Sequence, residues 1–330
     1  MSSLYPLKFN PIIKQKIWGG KKLSKILNKE TGNIENAGES WEISGLQDDF
    51  SVVSNGFLKD NNIEELIEIY MGDIVGDRIY DKFGTEFPLL IKFIEANDFL
   101  SVQVHPDDTI AKQRHNANGK TEMWYIVEAD KDSELIVGFN QEMDKPKFVK
   151  AFGSGTLSEI LNFEKVKAKD VFYLPAGRIH ATGPGILLAE IQQASDITYR
   201  IFDWDRVDDE GNTRDLHIDL AVESLDYSNE KSFRTNYQTK KNESSEIIES
   251  PYFTCNKIEL TEKIEKDFYW LDSFIIYMAV EGDIKIWFDN SENEITLLKG
   301  ETILVPAVIK NFKIEPLKKK AEILEIYIPE

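Results

Sequence analysis

The chain has 330 residues, enough for two domains with a full hydrophobic core, and its apolar content of 42% is ordinary for a soluble globular protein. The formal net charge of −19 argues against binding to nucleic acid or to an anionic membrane, because the field would repel a polyanion. A single cysteine, Cys255, excludes an intramolecular disulfide, and no run approaches the roughly 18 apolar residues of a membrane helix. We therefore expect a cytoplasmic protein with no nucleic-acid or membrane partner.

Most of the chain is predicted to form short β-strands. Asn62 opens an amphipathic stretch with Glu65 three residues on, the pattern of a capping box, which predicts a helical insertion around 62–83. Runs rich in β-branched and aromatic residues then alternate with turns: FPLLIKFIEA, LSVQVH, EMWYIVEA, ELIVGF and DVFYLP. Two short helices are predicted at LSEIL and DLHIDLAVESLDY. Many strands and few helices indicate a β-sandwich or barrel.

The segment 236–250 is polar, charged and poor in bulky apolar groups, so it is predicted to be a linker. It separates a predicted first domain, 1–235, from a second, 251–330. After the linker the β pattern resumes through SFIIYMAV, DIKIWF, ETILVP and AEILEIYI.

A faint internal repeat relates the two domains. KDVFYLPAGRIH aligns with GETILVPAVIKN, and EMWYIVEAD aligns with IIYMAVEGD. Pro175 then matches Pro306, while His180 matches Asn311 and Glu122 matches Ile275. We therefore expect a second barrel that keeps the strands and turns of the first but lacks its metal ligands.

Three segments of the first domain supply candidate metal ligands. SVQVHPDD carries Gln103 and His105 on one face of a strand, and Glu122 begins another strand. In PAGRIH, a tight P-x-G turn aims His180 inward. Two imidazoles, a carboxylate and an amide oxygen suit a borderline divalent ion, zinc foremost, with manganese, iron, cobalt or nickel as alternatives.

Charged side chains accompany these ligands in LLAEIQQASDITYRIFDWDR. The positions of Glu190, Asp196 and Arg200 share parity, so a regular strand would present them on one face. An arginine that points into a cavity can hold an anion or stabilise an oxyanion. Lys120 lies two residues before Glu122, so a strand would place both side chains on the same face, and Lys120 could reach the same cavity.

Further positive charge could come from Lys92, Arg178 and Arg206. For Lys92 and Arg178, ordinary exposed charge is an equally good interpretation. In a chain this acidic, a local cationic cluster beside a metal would attract a phosphorylated substrate.

Several long motifs resemble those of the type I mannose-6-phosphate isomerases in their short bacterial form: IWGGKKL, ESWEISG, PLLIKFIEANDFLSVQVHPDD, GKTEMWYI, FYLPAGRIHATGPGILLAEIQQASDITYRIFDWDR and LHID. The resemblance runs from about residue 5 to about residue 225, with a weaker C-terminal tail. It implies a mainly β fold of two cupin (jelly-roll) barrels with a few helices, one zinc ion per chain, and interconversion of mannose 6-phosphate and fructose 6-phosphate. We expect a monomer or homodimer that acts on a small sugar phosphate.

The resemblance also implies roles for individual residues. The zinc ligands are Gln103, His105, Glu122 and His180. Arg200 takes the place of the family's catalytic arginine and Lys120 that of its active-site lysine, while Ser101 and Glu190 fall on active-site positions. We expect Arg200, Lys120 and Glu190 to be catalytic. From the charge and parity of the residues together with the position of Ser101, we predict that Ser101, Lys92, Arg178, Arg206 and Asp196 bind the substrate. Longer members of the family carry a lysine where Arg206 stands. They also have a large helical insertion before the last zinc ligand, and this chain lacks that insertion.

Aldose–ketose isomerisation moves a proton between C2 and C1 through an enediolate. Lys120 and Glu190 are both candidates for this transfer, and Arg200 would stabilise the enediolate or hold the phosphate. A metal-assisted hydride shift is the alternative chemistry. Two other functions stay open: a non-catalytic bicupin that binds sugars, and a metal-dependent oxygenase. The first predicted barrel keeps all four metal ligands and a cationic cluster. This combination favours the isomerase over the two other functions.

Overall fold

The structure is a computed structural model that describes residues 4–207, 211–230 and 232–330. Residues 1–3, 208–210 and 231, which fall in the predicted first domain, lie outside the described residues. The helices are α1 (Lys22–Leu27), α2 (Ile63–Tyr70), α3 (Gly72–Val75), α4 (Asp77–Phe83), α5 (Asp108–His115), α6 (Lys145–Gly153), α7 (Leu157–Ile160) and α8 (Ile218–Ser224). The strands are β1 (Leu7–Lys8), β2 (Ile12–Gly20), β3 (Ala37–Ser44), β4 (Leu89–Ala96), β5 (Val102–Val104), β6 (Glu122–Ala129), β7 (Glu134–Phe139), β8 (Leu161–Lys165), β9 (Val171–Leu174), β10 (His180–Thr182), β11 (Ile186–Gln193), β12 (Tyr199–Phe202), β13 (Ser245–Glu249), β14 (Thr254–Leu260), β15 (Ile264–Asp267), β16 (Ile275–Glu281), β17 (Ile284–Phe288), β18 (Asn293–Leu297), β19 (Thr302–Val305), β20 (Asn311–Pro316) and β21 (Ala321–Tyr327).

The strands form two barrels, each built from two antiparallel sheets. The first barrel pairs a six-stranded sheet, β2-β3-β4-β11-β6-β9, with a five-stranded sheet, β12-β5-β10-β7-β8. The second pairs a six-stranded sheet, β1-β19-β16-β21-β14-β13, with a four-stranded sheet, β15-β20-β17-β18. The predicted mainly β fold of two barrels with a few helices is confirmed.

The internal repeat seen in the sequence is also a repeat of strand order. The run β4-β11-β6-β9 corresponds to β14-β21-β16-β19, and β5-β10-β7-β8 corresponds to β15-β20-β17-β18. The turns that begin at Pro175 and Pro306 are each closed by a hydrogen bond to the carbonyl oxygen of that proline, of 3.1 and 2.9 Å. The position that matches Glu122 holds Ile275, which is buried in the apolar core of the second barrel.

The two six-stranded sheets pack back to back. Ile91 and Phe93 of β4 share one hydrophobic cluster with Ile276 and Met278 of β16. Every residue of β4 and β11 is buried, because the second barrel covers the outer face of this sheet while the inner face lines the first barrel. Alternate residues such as Lys92 therefore point into the first barrel.

The predicted helical insertion at 62–83 is present as three helices, α2, α3 and α4. The capping box is confirmed, because the Asn62 side chain accepts a hydrogen bond from the Glu65 backbone N–H and the Glu65 carboxylate accepts one from the Asn62 backbone N–H. The interruptions fall at Met71 and Gly76, whose φ angles of 48° and 98° are incompatible with a continuing helix. Within the described residues, no helix combines the length and the apolar character needed to cross a membrane.

The second barrel also takes strands that the sequence did not indicate. β1 pairs with β19, so the N-terminal segment completes the edge of the C-terminal barrel. β13 lies within the predicted linker 236–250 and pairs with β14, burying Ile247. The polar segment is thus a linker only in part, and the division into 1–235, 236–250 and 251–330 stays a prediction.

The contact between the barrels can be tested at Phe274. Its ring lies 4.9 Å from the ring of Phe87, and both side chains are buried. We expect Phe274→Ala to lower the free energy of unfolding by about 3–5 kcal/mol, because it leaves a cavity between the barrels.

The measurement is urea unfolding, with Phe57→Ala as the control, since Phe57 is 53% exposed and should change stability by only about 0.5 kcal/mol. Equal effects of the two substitutions would show that the barrels do not depend on this contact.

Candidate active site and metal centre

The four predicted metal ligands come together inside the first barrel. Gln103 and His180 are register partners on β5 and β10, His105 follows β5, and Glu122 begins β6 in the opposite sheet. The turn before β10 requires glycine, because Gly177 has a φ of 90° and a Cβ there would lie 2.9 Å from a backbone oxygen. This turn aims His180 inward as the sequence predicted.

Hydrogen bonds fix the tautomers of the two histidines. His105 Nδ1 lies 2.8 Å from the carbonyl oxygen of Ile197, and His180 Nδ1 lies 2.9 Å from that of Arg178. Since a carbonyl oxygen can only accept, each Nδ1 carries the ring proton and each Nε2 presents a lone pair to the barrel interior. Burial lowers the pKa of His180 to about 4 and holds the pKa of His105 well below its ordinary value. Both imidazoles are therefore neutral near pH 7.

The lone pairs converge on the carboxylate of Glu122. Its two oxygens lie 3.3 Å from His180 Nε2 and 3.5 Å from His105 Nε2, and the three candidate ligand atoms lie within 4.8 Å of one another. Both oxygens are buried without a hydrogen-bond partner, although Lys120 Nζ is 3.1 Å from one of them. These orphaned acceptors fit a divalent cation.

Gln103 adjoins the same cluster. Its Nε2 lies 3.3 Å from His180 Nε2, while its Oε1 accepts a hydrogen bond of 3.3 Å from Ser101. A rotation of the amide by 180° exchanges the two atoms, so Gln103 can present its oxygen to a cation. The donor set is then two imidazole nitrogens, a carboxylate and an amide oxygen.

A cavity of about 450 Å³ opens beside the metal cluster, with Gln103 and Lys120 in its wall. Six cationic side chains and three carboxylates line it, which gives the lining a formal charge of +3 (6 − 3) in a chain whose net charge is −19. The lining residues are Lys14, Lys16, Trp18, Glu39, Trp41, Lys92, Ile94, Leu100, Ser101, Gln103, Lys120, Trp124, Glu190, Asp196, Thr198, Arg200 and Arg214. Such a local positive field suits a small phosphorylated ligand.

Most of the other predicted site residues reach this cavity, but two do not. Lys92, Ser101, Lys120, Glu190, Asp196 and Arg200 line it. Arg178 is buried elsewhere, paired with Glu230 and stacked over Phe233. Arg206 is also outside the lining, and its guanidinium pairs with Asp203 at 2.6 Å.

Glu190 and Arg200 do not share one strand, as the parity argument expected. β11 ends at Gln193, and β12 begins at Tyr199 in the opposite sheet of the barrel. The chain crosses between the two sheets over these few residues. Glu190 therefore contributes to the cavity from one sheet and Arg200 from the other.

Two charged groups in the wall have displaced pKa values. Burial raises the pKa of Glu190, and the Lys92 ammonium, 3.6 Å from Glu190 Oε1, opposes only part of this shift. The same Oε1 is buried without a hydrogen bond. Burial lowers the pKa of Lys120, but the charges of Glu122 and Glu190 outweigh it, so the pKa lies above its ordinary value.

Sequence reasoning missed several lining residues. Lys14, Lys16 and Trp18 alternate along β2, and this period of two was a signal that could have identified them. The ring of Trp41 lies 4.7 Å from the Lys14 ammonium, and its indole N–H donates to Glu39 at 2.6 Å. Arg214, by contrast, lies outside any helix or strand, so no periodicity marks it.

Known proteins resemble this chain over nearly its whole length. A family model for the catalytic domain of type I phosphomannose isomerase matches residues 6–140. The mannose-6-phosphate isomerase of Streptococcus mutans is 33% identical over 94% of this chain and 95% of its own. Mannose-6-phosphate isomerase ManA of Bacillus subtilis is 35% identical over 94% of this chain and 96% of its own.

Solved structures show the same similarity. The crystal structure of the mannose 6-phosphate isomerase from Bacillus subtilis superposes with a TM-score of 0.87 at 29% identity, covering 98% of this chain and 99% of that one. A putative mannosephosphate isomerase from Archaeoglobus fulgidus, at 20% identity and a TM-score of 0.78, shares the fold over 98% of each chain. The chain is an isomerase and belongs to the type I phosphomannose isomerase family.

Proposed function

We propose that this enzyme interconverts mannose 6-phosphate and fructose 6-phosphate with the help of one zinc ion. The observation that carries the proposal is the pairing of a His–Glu–His cluster, whose carboxylate lacks a hydrogen bond, with an adjoining cavity of positive formal charge. The first feature suits a cation and the second suits a sugar phosphate. The names of the relatives at 33–35% identity support the choice of substrate.

The zinc-binding residues of the proposal are Gln103, His105, Glu122 and His180, through Oε1, the two Nε2 atoms and the carboxylate. Bound there, the ion would supply Lewis-acid polarisation of the sugar oxygens next to the reacting carbons. The backbone carbonyls of Ile197 and Arg178 hold the two imidazoles in the tautomer that this binding needs.

In the proposed mechanism, Glu190 moves the carbon-bound proton. Its buried Oε1, which lacks a hydrogen bond, would take the proton from C2 of mannose 6-phosphate, and the freed electron pair would form the C1–C2 double bond of an enediolate. Lys120 would give a proton to O1 and take one from O2. Glu190 would then return its proton to C1, which completes fructose 6-phosphate. Arg200, in the opposite sheet, would offset the negative charge of the enediolate or the phosphate.

The metal assignment predicts a specific loss in Glu122→Gln. The substitution keeps the size of the side chain but removes the charge that balances a dication, so we expect the purified variant to lose its zinc while its circular dichroism stays that of the wild type. Elemental analysis should find about one zinc per wild-type chain. A coupled assay should show isomerisation of mannose 6-phosphate that stops after chelation and returns with zinc.

Full activity after complete metal removal would contradict the metal assignment. A metal-loaded wild type that binds mannose 6-phosphate without converting it would favour the non-catalytic bicupin.

The choice of base can be made with Glu190→Gln and Lys120→Met. We expect Glu190→Gln to lower kcat by about 10²–10⁴-fold and to abolish exchange of the carbon-bound proton with solvent deuterium, because it lacks the group that carries this proton. Lys120→Met should slow turnover but retain measurable exchange. The measurement is deuterium in substrate and product by NMR at early turnover.

Exchange that survives in Glu190→Gln and disappears in Lys120→Met would assign the base to Lys120. Product free of deuterium from the wild type would favour the hydride shift.

A further inference from the structure

Arg214 is held at the edge of the cavity by a buried carboxylate. Its Nε and Nη2 donate to the two oxygens of Asp203, at 2.7 and 2.5 Å, in a bidentate pair. The side chain lines the cavity and is 36% exposed. A guanidinium has five N–H donors, so three are not engaged by Asp203. Asp203 fixes the plane of the Arg214 guanidinium. The N–H groups that do not contact Asp203 therefore form a charged donor edge that faces away from this carboxylate.

A second arginine lies close by because the backbone folds back on β12. His217 N donates to Arg200 O at 2.7 Å, and Arg200 N donates to His217 Nδ1 at 3.1 Å. The Arg200 side chain donates through Nη1 to the backbone oxygen of Asp215, the residue that follows Arg214, at 2.8 Å. The segment that carries Arg214 is thus fixed alongside Arg200.

Arg200 also retains an unused donor. Its Nε is buried and has no hydrogen-bond partner within the described part of the chain. Burial lowers the pKa of Arg200, and the charge of Arg214 lowers it further, while the carboxylates of Asp203 and Asp215 oppose part of this shift. Two guanidiniums that repel each other, one with an unsatisfied donor, are stabilised when an anion lies between them.

We propose that Arg214 and Arg200 together form the subsite that binds the phosphate group of the substrate. The inference deepens the proposed function and rests on it. It assigns the phosphate to Arg214, which was not predicted from the sequence, and not to Arg206, which was predicted to bind the substrate.

The surroundings of Arg206 support this distinction. Its guanidinium donates to Asp203 Oδ1 at 2.6 Å, to Asp203 O at 3.2 Å and to Phe99 O at 2.5 Å, and its side chain is 16% exposed. These bonds point Arg206 into the protein, where it helps to hold Asp203. Asp203 in turn orients Arg214, so Arg206 acts as a positioning residue and Arg214 contacts the substrate.

The test compares Arg214→Gln, Arg214→Lys and Arg206→Gln in the metal-loaded, full-length enzyme. Arg114→Gln is the matched control, because Arg114 forms an exposed ion pair with Glu223 away from the cavity. The readouts are kcat and KM for mannose 6-phosphate. A calorimetric Kd is measured for D-mannitol 1-phosphate, a polyol phosphate that has no carbonyl group to isomerise.

We expect Arg214→Gln to raise both KM and this Kd by roughly 10- to 100-fold, with kcat changed much less, because the phosphate is remote from the reacting carbons. Arg214→Lys should raise KM and Kd less than Arg214→Gln does, since lysine keeps the positive charge but lacks the paired N–H donors of a guanidinium. Arg206→Gln should raise Kd less than Arg214→Gln does.

A Kd for Arg214→Gln within twofold of the Arg114→Gln value would overturn the proposal, as would a larger effect at Arg206. If Arg214→Gln does not fold, as judged by its thermal unfolding, Arg214→Lys is the deciding variant. A Kd for Arg214→Lys equal to that of the wild type overturns the proposal. The two proposals fail separately. A wild type that binds D-mannitol 1-phosphate through Arg214 but does not isomerise refutes the function and leaves the subsite.

Discussion

The site depends on one electrostatic constraint, which is the buried carboxylate of Glu122 facing two imidazole lone pairs. A buried charge without a hydrogen bond costs several kcal/mol, so three converging acceptors favour a cation among them. Lys120 supplies part of this charge, at 3.1 Å from Glu122 and 3.0 Å from His105. The lone pair of His180 still points at the same centre. In the proposed function, a divalent ion held by all three side chains would complete the arrangement.

The two-barrel architecture makes this constraint possible. Because the second barrel covers the outer face of the β4–β11–β6 sheet, apolar residues such as Phe93 and Ile191 anchor that face. The inner face can then carry Lys92, Glu190 and Glu122 in one buried surface. Strands buried on both faces leave little room for register slippage, which fixes the spacing of the charged groups. The second barrel thus contributes to the site by packing, whatever else it does.

The sequence predicted the parts of this structure that depend on local patterns. The capping box at Asn62, the turn at Gly177 and the inward histidine that follows it each need only a few adjacent residues. Features set by distant contacts were missed, such as the pairing of β1 with β19 and the strand inside the polar segment 236–250. The parity argument failed between Glu190 and Arg200 because the chain changes sheets there, which no local period reveals.

Anomalous X-ray diffraction from crystals of the zinc-loaded enzyme tests the position of the proposed metal ion most directly. Data collected on both sides of the zinc absorption edge should show one strong peak among Gln103, His105, Glu122 and His180, with each Nε2 about 2.0–2.1 Å from it. A zinc peak elsewhere in the fold would contradict the proposed metal site. The same holds if the four side chains are well ordered without a zinc peak and Glu122 pairs only with Lys120.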